Sequence, residues 1–336
     1  MYEMKQYIII LISFLAIAAI TLLAAAITAS RTAGIVLTMV VPYIVFAVFL
    51  IGFVYRIIRW AKAPVPFRIP TTCGQEKSLP WIKNNPVENP IRTWGVIGRM
   101  AAEIFLFRSL FRNSKTELIG GRPVYGSAKW LWFFGLMFHV SLLVVILRHL
   151  RFFTEPVIPL ATGLSALDGF LEIGIPTLYI SDVALFAGLA FLFLRRVVVP
   201  QTRYISLFTD YFALLLIAAV AATGLLMRYF FPADLHELKT MTMGWVTFSP
   251  ALPKGDGFLL YAHLFFVFTL LAWLPFSKLM HMGGIFLSPT RNMANNNRIR
   301  RHVNPWNAPV KVHSYEEYEN EFREQMKTAC LPVEKE

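Results

Sequence analysis

The chain is 336 residues long, 56% hydrophobic and 15% charged, too apolar and too poorly charged for a soluble domain of that length, so it reads as an all-α integral membrane protein. A formal net charge of +12 invites a nucleic-acid partner, but the bases fall where membrane topology puts them and no nucleic acid is needed. Cys73 and Cys330 lie outside the apolar runs and form no CxxC pair, which excludes protein-bound iron–sulfur clusters and structural zinc within the chain.

Apolar runs occur near 8–29, 35–58, 130–150, 178–198, 205–231 and 258–282. Each approaches the roughly 20 residues that a helix needs to cross about 30 Å of hydrocarbon. They predict six transmembrane helices. The first resembles a signal peptide, with Lys5 before a run ending Ala24-Ala25-Ala26-Ile27-Thr28-Ala29-Ser30. It outlasts a normal h-region and is read as an uncleaved helix. With the N-terminus inside, twenty-six Lys and Arg residues fall on inner segments (Lys5, Arg56 to Lys129, Arg195, Arg196, Arg203 and Lys278 onward) against six outside. The positive-inside rule then places both termini in the cytoplasm and the spans in the cell inner membrane. Most tryptophans flank the spans, as interface anchors do.

The chain divides into two N-terminal transmembrane helices (1–60), a cytoplasmic loop (61–128), a core (129–283) and a cytoplasmic tail (284–336). Pro64, Pro66, Pro70, Pro80, Pro86 and Pro90 argue against a packed domain in the first half of the loop. From Trp94 to Phe111, Ile97, Met100, Ala101, Ile104 and Phe105 alternate with Arg99, Glu103, Arg108 and Arg112. That is the pattern of a basic amphipathic helix at a membrane surface, under a partner subunit, or simply anchoring the loop. The tail is basic through Arg298, Arg300 and Arg301 and acidic from Glu316 to Glu324. There Tyr315, Tyr318, Phe322 and Met326 form one helical stripe, suiting a docking helix or a solvated tail.

Four histidines stand inside the apolar runs: His139 and His149, ten residues apart in the third, and His263 and His281, eighteen apart in the last. A histidine in hydrocarbon is costly and needs a partner. Taken singly, His149 or His281 suits a snorkelling interface residue, but two on each of two helices suggest paired ligands. The natural partner is iron. Antiparallel helices bring His139 level with His281 and His149 level with His263, giving two haem b sites at two depths of a four-helix core. Helical rise separates His139 from His149 by about 15 Å and His263 from His281 by about 27 Å, a mismatch that tilt or a kink at Pro275 would absorb. Eighteen residues are five turns, so His263 and His281 are expected on one face of one helix, with His149 about 80° off His139. A haem with both axial positions filled takes no dioxygen and only transfers electrons. Arg148, Arg228, Arg151 and Lys239 outside, and Arg195, Arg196 and Lys278 inside, are candidate partners for the propionates. His236, His302 and His313 read as surface residues.

At these spacings residues 35–283 resemble the nitrate reductase gamma subunit family, whose diheme cytochrome b core places its histidines likewise. The run Phe276-Ser277-Lys278-Leu279-Met280-His281-Met282-Gly283-Gly284-Ile285-Phe286 carries a closer likeness, with Ser288-Pro289-Thr290-Arg291-Asn292, Asn304-Pro305-Trp306-Asn307 and Tyr315-Glu316-Glu317-Tyr318. It is similar to the DsrM-type membrane subunits of the sulfite-reduction-associated DsrMKJOP complexes. The resemblance implies haem ligation by His139, His149, His263 and His281, and oxidation or reduction of menaquinone. It also implies electron exchange with a cytoplasmic iron–sulfur subunit of the heterodisulfide-reductase type, beside other membrane and periplasmic redox subunits, in respiratory sulfur metabolism. The extra N-terminal helix and the insertion near 61–128 depart from the nitrate reductase pattern, so that family's docking surface does not transfer. Its quinol-site lysine has no counterpart by spacing after the third span, where Arg151 is the only base before the fourth.

The expected function is that of a quinol-linked electron-transfer subunit. A quinone beside the outer haem would draw its proton acceptor from Glu155, Asp168, Glu172, Asp182, Asp234, His236 and Glu237, among which the sequence does not choose. A proton-relaying transporter or channel would instead show discontinuous helices and carboxylates at mid-depth, which the spans lack. A haem-free membrane anchor would need no buried histidine.

Overall fold

The computed structural model describes residues 2–63, 77, 79–252, 257–296, 309 and 312–335. Pro64, Pro66, Pro70, Cys73, Arg298, Arg300, Arg301, His302 and the motif at 304–307 lie outside the described residues. Helices form along the apolar runs because a chain in hydrocarbon must bond each backbone N–H internally. In chain order come α1 (Tyr2–Thr28), α2 (Arg31–Met39), α3 (Val41–Ala61), α4 (Thr93–Leu106) and the single turn α5 (Arg108–Phe111). A hairpin, β1 (Ser114–Ile119) and β2 (Arg122–Ser127), leads into α6 (Lys129–His149) and α7 (Pro159–Asp168). Then follow α8 (Ile180–Val198), α9 (Pro200–Ile205), α10 (Phe208–Tyr229), α11 (Leu235–Val246) and α12 (Phe258–Trp273). The turns α13 (His281–Gly284) and α14 (Pro289–Asn292) and the helix α15 (Tyr315–Thr328) complete the chain.

Five segments are long and apolar enough to cross a membrane: Met4–Thr28, Arg31–Ala61, Lys129–Phe152, Phe208–Tyr229 and Phe258–Phe276. The protein is a multi-pass helical membrane protein. The expected sixth span, α8, has 19 residues but carries Asp182 in its first turn and Arg195 and Arg196 in its last, and so is less apolar than the other five.

Two prolines shape the spans. Pro42, in the first turn of α3, has no N–H to give the carbonyl of Thr38, four residues earlier. The indole Nε1 of Trp245 in α11 donates to that carbonyl instead, at 2.7 Å. Pro275 interrupts what the sequence predicts as one helix over 258–282. Helix α12 ends at Trp273, Leu274–Phe276 tighten into a 3-10 turn, and Ser277 is extended at φ −110° and ψ 175°. The Ser277 Oγ then accepts the Leu279 N–H and starts a new turn. His281 therefore stands on a separate short helix, and the expected one-face alignment with His263 does not occur, because proline cannot continue the ladder of bonds.

Packing runs in a chain of neighbours: α6 lies along α8, α8 on α10 and α10 on α12, with α1 against α10 and α12 and α3 against α12. The approach of α6 to α8 depends on Gly188, where a Cβ would come within 2.9 Å of Phe138. Phe138, Leu185, Leu189 and Ile217 fill the space between α6, α8 and α10. Among the described residues α6 and α12, which carry three of the four histidines, do not pack along one another.

Beyond the spans, Gly120 and Gly121 take φ of 58° and 77°, the left-handed pair that a tight hairpin turn requires. Ser114 pairs with Ser127 and Ile119 with Arg122, and every strand residue is exposed. In α4, Arg99 and Glu103 are 2% and 8% exposed whereas Trp94 and Phe105 are 82% and 68% exposed. The charged side of this helix faces inward. Glu103 accepts the Ser109 N–H and lies 3.8 Å from Arg291, and the Asn295 N–H donates to the Pro90 carbonyl at 2.7 Å. The segment after His281 thus packs onto the loop around α4. In the tail, a Ser314–Glu317 capping box starts α15. The N–H groups of Lys335 and Glu334, with Arg323, hold the Glu319 carboxyl below the usual carboxylate range.

The Trp245 bond to Thr38 is testable by a double-mutant cycle. Trp245→Phe leaves a buried carbonyl without a donor and should cost about 1–3 kcal/mol. In a Pro42→Ala background residue 42 regains an N–H, so the same change should cost measurably less. Equal losses of thermal stability in both backgrounds would show that the indole does not serve this carbonyl.

Candidate functional site

Each of the four histidines is fixed through the same ring atom. His139 Nδ1 donates to the Gly135 carbonyl at 2.7 Å and His149 Nδ1 to the Val145 carbonyl at 2.7 Å. These are the carbonyls four residues earlier on α6, which a histidine in mid-helix reaches with its own ring. His281 Nδ1 donates to the Lys278 carbonyl at 3.0 Å, in the turn capped by Ser277. His263 Nδ1 reaches across to α10, to the Val220 carbonyl at 3.1 Å and Thr223 Oγ1 at 3.0 Å. The Thr223 hydroxyl donates to the Ala219 carbonyl at 2.8 Å, so it accepts from the ring. A carbonyl only accepts, so each Nδ1 carries the proton and each neutral ring keeps its lone pair on Nε2. Four imidazoles are thereby prepared as Nε2 ligands, with a bonded Nδ1–H to raise their basicity.

Two of the four rings come together. His139 and His281 have centroids 6.0 Å apart at 77°. The Phe107 ring, from the junction of α4 and α5, stands edge-on to His139 at 4.9 Å. Gly224 makes room for the His263 ring, which a Cβ there would approach within 3.3 Å.

Two imidazoles per site limit what they hold. A bare transition-metal ion takes about four protein ligands, and no group of three or more His, Cys, Asp or Glu side chains gathers among the described residues. A porphyrin iron supplies four nitrogens of its own and asks for two axial imidazoles. Metal–imidazole bonds of about 2 Å put two ring centroids about 6 Å apart, in line with the 6.0 Å between His139 and His281. The donor set therefore fits haem.

The basic side chains sort differently from the expectation. Arg148 is committed: its guanidinium reaches Asp182 at 2.8 Å, Ser181 Oγ at 3.0 Å and Asp168 at 3.2 Å. Asp168 in turn accepts from the N–H and hydroxyl of Ser181, and Tyr229 donates to Asp182. The Tyr179 ring is held between Arg148 and Arg228, each 3.8 Å from its centroid. Arg228 donates to the Thr177 carbonyl at 3.0 Å and makes no ion pair among the described residues. Lys239 pairs with Glu155, Lys278 with Asp210 at 2.9 Å, and Arg196 donates to Ser206. Arg228 and Arg195 are therefore better placed than Arg148 to meet a further anion. His236 and His313 stand in other elements, in α11 and before α15. Sequence reasoning missed Thr223 and Gly224, whose only signal is a polar residue beside a glycine in the apolar α10.

The family described as nitrate reductase gamma subunit matches residues 94–301, a stretch that holds all four histidines. An Hdr-like menaquinol oxidoreductase cytochrome b-like subunit of Archaeoglobus fulgidus is 46% identical over 280 residues, 81% of this chain and 84% of that relative. A protein of the same description from Archaeoglobus profundus is 42% identical over 273 residues, 79% of this chain and 81% of the relative.

Removing one partner of a buried ion pair leaves the other charged and unpaired, at a cost of about 3–5 kcal/mol. Arg148→Met should destabilise the protein by about that amount, since Asp168 and Asp182 would both remain. Adding Asp168→Asn and Asp182→Asn should recover much of the loss. A thermal midpoint unmoved by Arg148→Met would mean that the network is not formed.

Proposed function

Because the chain belongs to the nitrate reductase gamma subunit family, we propose that it is the cytochrome b-like membrane subunit of a menaquinol oxidoreductase, carrying two haems b. His139 and His281 hold the inner haem, and His149 and His263 the outer. The observation that carries this reading is the common state of the four rings, with Nδ1–H bonded so that Nε2 keeps the lone pair, together with the approach of His139 to His281. Bound haem supplies a one-electron iron couple with no open coordination site. The chain supplies orientation: Gly135, Val145, Val220 and Lys278 fix the rings through their carbonyls, Thr223 adds a second acceptor, and Arg228 and Arg195 offer charge to the propionates.

Menaquinol oxidation releases two electrons and two protons, so the electrons must leave through a partner. The likeness to DsrM-type subunits supports a cytoplasmic iron–sulfur partner of the heterodisulfide-reductase type, with other membrane and periplasmic redox subunits, and the relatives' description as Hdr-like agrees with a partner of that type. The likeness of 276–292 to DsrM-type subunits supports a place in respiratory sulfur metabolism. We assign α8 as the sixth span and both termini to the cytoplasm, on the strength of twenty-six inner bases against six. The partner then docks over the inner haem, where α4, α5, the segment after His281 and Phe107 gather.

A pyridine haemochrome assay should find close to two haems per chain. His139→Ala and His281→Ala should remove one spectral component, and His149→Ala and His263→Ala the other. A haem-free protein would overturn the whole reading. Loss of the same component from His139→Ala and His263→Ala would overturn the pairing alone.

A further inference from the structure

We propose that Phe107 is a positioning residue of the inner haem site, holding the His139 ring in its plane and closing the cytoplasmic edge of that site to water; this rests on the haem reading above. The His139 ring is tied at Nδ1 to the Gly135 carbonyl, which leaves its tilt to be set by neighbours. Phe138, the preceding residue of α6, and Phe107, from the cytoplasmic loop, each stand nearly perpendicular to it with centroids 4.9 Å away. Edge-to-face pairs of this kind are favourable beyond the apolar area they bury. The His139 and His281 planes then cross at 77°, and the angle between two axial planes is what the resonance of a low-spin iron reports.

The backbone conformation at this point works against a phenyl ring. Phe107 has φ 49° and ψ 45°, the left-handed region, which strains a bulky side chain and which helix ends ordinarily give to glycine. Glycine would end α4 without strain. A large residue in such a conformation persists only where its surroundings over-determine it, and residues of this kind gather at functional sites.

The corner between α4 and α5 supplies that hold. The Phe107 N–H donates to the Ala102 carbonyl, and the Phe107 carbonyl accepts the Phe111 N–H at 3.0 Å. Two residues on, the N–H and hydroxyl of Ser109 both donate to the buried Glu103 carboxylate, the N–H at 3.2 Å. Arg108 and Arg112 pair with the buried Glu88. From α6 the Trp132 indole Nε1 donates to the Leu106 carbonyl at 2.7 Å, and its ring packs on Phe111 with centroids 4.8 Å apart. Trp132 lies about two helical turns before His139. The corner is therefore anchored to the same helix that carries the ring it presses.

The test uses the purified haem-loaded protein, with the inner haem identified as the component that His139→Ala removes. Phe107→Gly suits the left-handed backbone and takes no ligand away, so both haems should remain bound. Without the phenyl ring, water reaches the inner site and favours the charged ferric state. At a fixed potential the reduced-to-oxidised ratio of that haem should fall by about threefold or more, and its low-spin ferric resonance should shift and broaden. The outer haem should keep its midpoint and its resonance. Phe107→Tyr retains the ring and should restore both inner values. Glu103→Ala keeps Phe107 but releases Ser109, and should broaden the inner resonance alone. An inner midpoint and resonance unchanged in Phe107→Gly overturn the role, and so does an equal change in both haems, the mark of general loosening. If Phe107→Gly fails to hold haem, an unaltered inner resonance in Glu103→Ala overturns the role instead. An unaltered protein that binds no haem overturns the haem reading itself, and the role of Phe107 falls with it.

Discussion

The bond from each histidine Nδ1–H to a carbonyl is the constraint on which the site depends. In a low-dielectric interior an imidazole with an unbonded N–H is costly, and one free to turn presents either nitrogen. Bonding Nδ1 settles both matters, because it satisfies the polar group and fixes which nitrogen keeps the lone pair. Three of the four acceptors lie three or four residues earlier in sequence, so the histidine needs only helical or turn geometry around it. His263 is the exception and borrows its acceptors from α10, which makes the packing of α10 on α12 part of what orients this ring.

Backbone satisfaction explains much of the remaining architecture. Each proline in a span removes one N–H, and the vacancy is met differently in the two cases. At Pro42 a distant indole serves the orphaned carbonyl, which pins α11 to the N-terminal hairpin of helices. At Pro275 the chain leaves the helix, and Ser277 caps a new turn that delivers His281. Small residues then allow close contact where it matters. Gly52 lies against Pro275 and Gly188 against Phe138, so both the broken end of the last span and the α6–α8 seam are held by backbone approach.

Legibility in the sequence followed the range of the interactions. Apolar runs and helical rise are local, so the long helices could be read directly, and the counting of depths brought His139 toward His281 by the topology alone. The face on which His281 stands could not be read, because a proline followed by a serine cap replaces helical phase with turn geometry. Arg148 looked available since its partners, Asp168 and Asp182, stand in other elements twenty and thirty-four residues away. The amphipathic pattern of α4 was visible, but not that Arg99 and Glu103 would face inward; that depends on the segment around Arg291 and Asn295. The Gly120-Gly121 hairpin had a local signal, a glycine pair between two short runs, that the reading of the 61–128 loop did not use.

The most direct test of two bis-histidine sites is low-temperature electron paramagnetic resonance of the oxidised, purified protein. Two imidazoles on each ferric iron give a low-spin centre, and two sites in different surroundings give two. The account predicts two low-spin ferric signals of equal integrated intensity and no substantial high-spin signal. A high-spin signal comparable to the protein concentration, or a single low-spin species, would contradict it.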